Sequence, residues 1–413
     1  MKFILILICL ALLCSCSGFS ENKEEDIPAS KHTVLNYDYM KAVWLSQYDL
    51  FEIYTNNGEQ REKNDFEKRI VSVLDNVVSL GMNTIIVQVR PFGDSMYPSE
   101  FYPLSSFVVG EYGNKANYDP FEVIVSLARD RELSVHAWIN PLRAMTEIEM
   151  QKVDGAFSIR KWYDEKKYIS NVSGRWYLDP AYPQTRELIC NGVSEIIKLY
   201  DVDGIHIDDY FYPTMEESFD KNSYESYKAN GGKSLLADFR RENINSLVRE
   251  IYSTVKAENK EILFGVSPSG VTNNNYNKSF ADVALWCKND GYVDYICPQI
   301  YFGFEHSTCA FDKVCLEFSN MIKSNGIRLI IGMTLGKSYS GYDAYAGEGK
   351  YEWRDNGDIL LRQLEYTVTL SKCSGVSYFS YQYFFDPLTG ERIEETLDEV
   401  SLFVPYLKTK KLP

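Results

Sequence analysis

The sequence predicts a (β/α)8 barrel, and three observations carry that prediction. Eight short β-branched or aromatic runs recur along the chain, each followed by a loop and a helical stretch. Strands that alternate with helices imply a parallel sheet, and eight such units imply closure into a barrel. Polar residues gather where the runs end, while the starts of the runs are apolar. An open doubly wound sheet is the alternative. It would carry a Gly-rich phosphate turn after an early strand, and the sequence has none.

Taken in order, the chain begins with MKFILILICLALLCSCS, one Lys followed by an apolar run from Phe3 to Leu13. That run is short for a bilayer span and has the form of a signal-peptide core. Leu13-Cys14-Ser15-Cys16 resembles a bacterial lipobox. Residues 1–15 are therefore expected to be a lipoprotein signal, with Cys16 the lipidated first residue of a protein of the cell envelope, tethered to a membrane and facing out of the cytoplasm; the alternative is cleavage nearer Gly18 and free secretion. Residues 16–38 are polar and suit a flexible tether. The barrel domain is expected over 39–410.

The eight runs are KAVWLS (Lys41 to Ser46), TIIVQVR (Thr84 to Arg90), SVHAWIN (Ser134 to Asn140), GIHIDDY (Gly204 to Tyr210), LFGVSPS (Leu263 to Ser269), YICPQIY (Tyr295 to Tyr301), RLIIGMT (Arg328 to Thr334) and GVSYFSY (Gly375 to Tyr381). Helical faces lie between them. Phe66, Ile70, Val71, Leu74, Val77 and Val78 recur at helical spacing, as do Leu188, Ile189, Val193, Ile196, Ile197 and Tyr200. Six cysteines follow the signal region, with no CxxC and no zinc-finger spacing. Cys190 and Cys373 fall in amphipathic helical patterns and read as small hydrophobes; Cys309 and Cys315 are the nearest pair.

The formal net charge of -15 repels phosphate backbones, which argues against a nucleic-acid partner. The 31 tyrosines suit a neutral, ring-shaped ligand, because aromatic faces pack on the apolar faces of sugars.

Reacting groups in such barrels lie at the C-terminal ends of the strands. Within DGIHIDDYFYP (Asp203 to Pro213), Ile205 and Ile207 share the outward face, while His206 and Asp208 point to the barrel axis. Asp209 sits at the lip. Four histidines and no H-x-H on the first strand are too few for an amidohydrolase-type metal site, so His136 and His206 are expected to be buried hydrogen-bonding groups, and no metal or other cofactor is expected. There is no P-loop and no G-x-S-x-G. Paired carboxylates remain, the machinery of glycoside hydrolysis.

VWLS (Val43 to Ser46), QVRPFGDSMYPSE (Gln88 to Glu100), HAWINPLR (His136 to Arg143), WYLDPAYPQTR (Trp176 to Arg186), DVDGIHIDDYFYP (Asp201 to Pro213) and FGVSPSG (Phe264 to Gly270) together resemble the bacterial glycosyl hydrolase-like 10 family. The resemblance runs from about Lys41 to beyond Tyr301. It implies a (β/α)8 barrel, export and action on a glycan; for some of the family the implied substrate is cell-wall glycan strands lacking stem peptides.

Analogy with other barrel glycosidases narrows the chemistry. Chitinases of family 18 place an acid where this chain has Tyr210. Barrels that pair a strand-four Asp with an acid after strand six fit best, and PQIYFGFE supplies Glu305. The expected roles are Asp208 as nucleophile or charge stabiliser and Glu305 as general acid/base, with Asp94, Asp209 and Asp294 in reserve. Arg90, Asn140, Arg143, Gln299 and Tyr301 are expected to bind hydroxyls or acyl-amino groups. Asp94 and His206 are further candidate contacts to substrate, and Trp138 and Tyr210 candidate sugar platforms. Arg90, Asn140, Asp208 and Gln299 should converge in one cleft. The competing reading is a carbohydrate-binding lipoprotein on a degenerate barrel.

Overall fold

The computed structural model describes residues 33–409. Strands β1 (Met40–Leu45), β2 (Thr84–Arg90), β3 (Ser134–Ile139), β4 (Gly204–Ile207), β5 (Leu263–Val266), β6 (Tyr295–Ile296), β7 (Arg328–Thr334) and β8 (Cys373–Phe379) pair in parallel, and β8 returns to β1 to close the barrel. All eight runs are strands. Those at β4, β5 and β6 stop sooner than their apolar runs, so Asp208, Ser267 and Gln299 stand on loops at the barrel mouth. Gln299 restores one bridge to each side, to Ser269 and to Gly332.

Helices α1 (Lys63–Ser79), α2 (Pro120–Arg129), α3 (Pro183–Leu199), α4 (Leu236–Glu258), α5 (Val283–Lys288), α6 (Phe311–Met321), α7 (Ile359–Thr367) and α8 (Leu397–Thr409) follow the strands in turn. The start of α2 shows why the sequence turns there: the Asp119 side chain accepts from the N–H groups of Phe121 and Glu122, and Pro120 supplies a first residue that needs no donor. On α1 the buried stripe is Phe66, Ile70, Val73, Leu74 and Val77. Val78, expected on it, is 43% exposed.

Two apolar cores result. The larger one fills the space between strands and helices. A smaller one inside the barrel joins Met40, Ala42, Trp44, Ile86, Trp138, Tyr295, Cys297 and Ile330. Large rings fit there because glycines face them. A Cβ on Gly204 would lie 2.4 Å from the His136 ring, and one on Gly265 would lie 1.9 Å from that of Tyr295.

Between β3 and α3 the chain inserts a three-stranded antiparallel sheet, Arg143–Thr146, Ile169–Val172 and Arg175–Leu178. At the other end of the barrel, residues expected in the tether are bound to the domain. Leu35 N donates to Asp203 at 2.6 Å, Asn36 Nδ2 donates to Glu261 O, and Arg328 donates to the carbonyls of Tyr37 and Asp38. The signal segment and Cys16 lie outside the described residues. All six cysteines of the domain are free thiols, and Cys373 opens β8 rather than sitting in a helix. Among the described residues no helix is long and apolar enough to cross a membrane.

Candidate active site

The strand exits enclose a cavity of about 260 Å3, lined by Trp44, Ser46, Gln47, Tyr48, Gln88, Trp138, Arg143, Asp208, Asp209, Tyr210, Gln299, Tyr301 and Phe379. Two larger depressions of about 610 and 660 Å3 lie along the loop at Pro98 and Ser99, and no strand-exit residue lines either.

Asp208 forms the floor and is 3% exposed. Its Oδ2 accepts from Trp138 Nε1 at 3.1 Å and from Asn140 Nδ2 at 2.5 Å, and its Oδ1 accepts from Tyr210 N at 3.2 Å. The amide orientations follow from a chain of donors. Gln47 N can only donate, so Gln88 must present Oε1 to it, at 3.0 Å. Gln88 Nε2 then donates to Asn140 Oδ1 at 2.6 Å, which leaves Asn140 Nδ2 for Asp208. Every protein group bonded to Asp208 is a donor.

Burial, and then the neighbouring Asp209, raise the Asp208 carboxyl above its ordinary range; the Tyr210 N–H, Asn140 and Arg143 act against them. Burial also raises Asp209, opposed by Gln299 and Arg143. Two adjacent carboxylates in a poorly solvated site cannot both be charged cheaply, so the pair holds a proton at higher pH than a free carboxylate does.

The remaining residues divide between this cavity and the framework. Arg143, Gln299, Tyr301, Tyr210 and Trp138 line it with the two acids, and Asn140 lies beneath. Arg143 starts the inserted sheet opposite Tyr177, and its guanidinium is held between the rings of Phe92 at 4.7 Å and Tyr210 at 4.0 Å.

Arg90 is not in the cleft. A β-bulge carries the register from Gln88 opposite Trp138 to Arg90 opposite Ile139, so Val89 and Arg90 both turn outward. Arg90 is buried there, over the Tyr102 ring at 4.5 Å and against Gly192 of α3. Asp94 is buried away from the cavity and ties its loop by accepting from Phe92 N and Tyr112 Oη. His206 lies below the floor. Its Nδ1 and that of His136 both meet Tyr295 Oη, at 2.6 and 2.8 Å, and burial lowers both imidazoles, which stay neutral.

Glu305 does not line the cavity. Its side chain is exposed, and its loop is set by Glu352, which accepts from Phe304 N and Glu305 N at 2.9 Å each. Asp294 is a framework acid, paired with Lys256 at 2.7 Å. The carboxylate beside Asp208 is therefore Asp209. Among the described residues no group of three or more His, Cys, Asp or Glu could hold a metal ion.

Three wall residues, Trp44, Tyr48 and Phe379, escaped the sequence reading. Trp44 and Phe379 look like ordinary strand residues in a one-dimensional pattern. Tyr48 had a signal: with Phe51 it puts aromatics on the outer face of a short helix, Gln47–Tyr54. The loop that carries it is held to the exit of β8 by Asp49, which accepts from Ser46 N, Ser380 Oγ and Gln382 N at 2.6, 2.9 and 2.8 Å.

Comparison with known proteins places this architecture. The chain is 31% identical to "Glycosyl hydrolase YngK" of Bacillus subtilis, over 83% of this chain and 68% of that protein. It is 30% identical to "Glycosyl hydrolase DigH" of Escherichia coli O6:H1, over 94% of each. Among solved structures, the glycoside hydrolase domain of PgaB (BpsB) from Bordetella bronchiseptica superposes with a TM-score of 0.56 at 12% identity, over 88% of this chain and 98% of that one. The catalytic domain of a β-amylase from Paenibacillus polymyxa gives 0.57 at 9% identity, over 90% and 99%. These two likenesses show a shared barrel fold. The family model for glycosyl hydrolase-like 10 matches residues 39–341, and the chain belongs to that family.

Proposed function

We propose that this protein is an exported, lipid-anchored glycoside hydrolase that cleaves glycosidic bonds of a polysaccharide, with peptide-free cell-wall glycan strands the first substrate to test. One observation carries the reading: buried Asp208, bonded only by donors, and half-buried Asp209 beside it lie in a cavity walled by aromatic rings and amides. Burial raises both carboxyls and Asp209 raises Asp208 further, so the pair shares a proton. In this assignment Asp208 is the nucleophile or charge stabiliser beneath the oxocarbenium-like centre. Asp209 delivers that proton to the leaving oxygen. Arg143 and Gln299 orient hydroxyl or acyl-amino groups, and the Trp138, Tyr210 and Tyr301 rings support sugar faces.

The test is incubation of the soluble domain with peptide-free glycan strands and a panel of other polysaccharides, read by mass spectrometry. New reducing ends are expected with wild type and not with Asp208→Asn. The second reading, a carbohydrate-binding protein on a degenerate barrel, is favoured by the position of Glu305 outside the cavity, which leaves two sequence neighbours as its only carboxylates. Binding of a glycan with no cleavage of any would establish it.

The anchor is proposed from the lipobox alone. Residues 35 to 38 are bonded at the strand-start end of the barrel, opposite the cavity. Cys16→Ala should release the protein from the membrane fraction or block its maturation. Unchanged fractionation and processing would remove the assignment.

A further inference from the structure

The short helix Gln47–Tyr54 buries Gln47, Asp49, Leu50, Ile53 and Tyr54. Its outer face should then be polar, yet Tyr48 is 64% and Phe51 45% exposed. The core does not need either ring. Both meet Phe107 edge to face, at 6.1 and 5.4 Å between centroids, and Phe107 stacks on Phe92 at 6.2 Å. Phe92 lies under Arg143, whose other face carries Tyr210, 48% exposed. Tyr48 and Tyr210 also line the cavity. Exposed ring surface therefore runs from Tyr48 at the mouth of the cavity over Phe107 to Phe51 on the helix, with buried Phe92 and half-buried Arg143 supporting it from beneath.

We infer that Tyr48, Phe107 and Phe51 form a shelf that stacks sugar rings beyond those held in the cavity, so that the ligand is a glycan chain rather than a single terminal sugar. The inference rests on the glycan reading above. The cavity, at about 260 Å3, is smaller than the usual ligand pocket of roughly 300–1,000 Å3, so a chain seated in it must continue over the rim. On this side it crosses Tyr48. A protein partner fits less well: the three rings, already partly buried in the domain, expose only a part of their about 150–250 Å2 each, well below the roughly 800 Å2 per partner of a standard interface. Sugar rings need only the flat faces.

The experiment uses β-1,4-linked N-acetylglucosamine oligomers from disaccharide to hexasaccharide, with peptide-free cell-wall strands alongside. Binding is followed by calorimetry and cleavage by mass spectrometry. Wild type should bind longer oligomers progressively tighter. Phe51→Ala, outside the cavity, should weaken binding of the long oligomers about five- to tenfold and leave the disaccharide nearly unaffected, whereas Tyr48→Ala should weaken both and the long oligomers more, each with unchanged melting temperature. Tyr48→Phe should restore the length dependence.

Wild-type binding that does not vary with length would overturn the shelf, as would equal losses on short and long oligomers. Tyr345, 86% exposed on the loop after β7, is the control; length dependence abolished by Tyr345→Ala instead would move the shelf across the rim and refute this one. Conversion of a wild-type dimer to monomer by Phe51→Ala would assign the rings to a second copy of the chain. Length-dependent binding without cleavage would retain the shelf and defeat only the hydrolase reading.

Discussion

Asp203 and Asp208 bracket one strand, both buried, and the chain treats them in opposite ways. At the strand-start end Asp203 accepts from Leu35 N at 2.6 Å and Val135 N at 2.8 Å, and pairs with Arg129 at 3.2 Å. At the exit Asp208 also collects donors, but its neighbour is a second acid, and no cation lies within ion-pair distance among the described residues. Removing one partner of a buried ion pair destabilises the fold, whereas a buried acid beside a like charge itself costs stability, which is the environment of a candidate reacting group. Asp294, half-buried, is likewise paired with a cation, Lys256, at 2.7 Å.

The contrast is most directly broken by removing each charge. Asp208→Asn should lower turnover on the order of a thousandfold while the fold is kept, measured at saturating glycan. Near-wild-type turnover would remove Asp208 from the chemistry. Asp203→Ala should do the reverse: it strands Arg129 and two backbone donors, at a cost of about 3 kcal/mol in denaturant unfolding. Turnover per folded molecule should not change.

The donors on Asp208 sharpen the comparison. Trp138→Phe keeps a ring but removes one N–H, and Asn140→Ala removes the end of the amide chain. A hydrogen bond to a charged acceptor contributes about 1.5–3 kcal/mol, so each variant should lose roughly ten- to a hundredfold in kcat. A change confined to KM would make these residues substrate contacts instead.

The smallest effect is on stability against pH. Both acids of the pair are raised in the folded state. A raised carboxyl holds its proton more tightly folded than unfolded. Its contribution is therefore full below the unfolded value, about 3.9, and is lost as pH rises through the folded one. Asp208→Asn escapes that loss. Its melting temperature should match wild type at low pH and exceed it increasingly as pH rises, and a constant difference across pH would contradict the like-charge account.

The barrel, its eight strands and the inward direction of Asp208 were legible in the sequence because each rests on local periodicity: helical spacing, alternation along a strand, polar residues at strand exits. Alternation succeeds where pairing is regular and fails where it is not. Arg90 follows the same inward pattern as Gln88, and one extra residue in β2 turns it to the outside. Glu305 follows a strand exit, yet Glu352, 47 residues further on, accepts its backbone N–H and sets the course of its loop. The orientation of Asn140 toward Asp208 depends on Gln88 and, through it, on the backbone of Gln47. A hydrogen bond between distant segments leaves no period in the chain. The sequence by itself determined which face of each regular strand meets the barrel axis; tertiary structure decided which polar residues at the mouth share one cavity, because bulges and long-range acceptors act only once the strands are side by side.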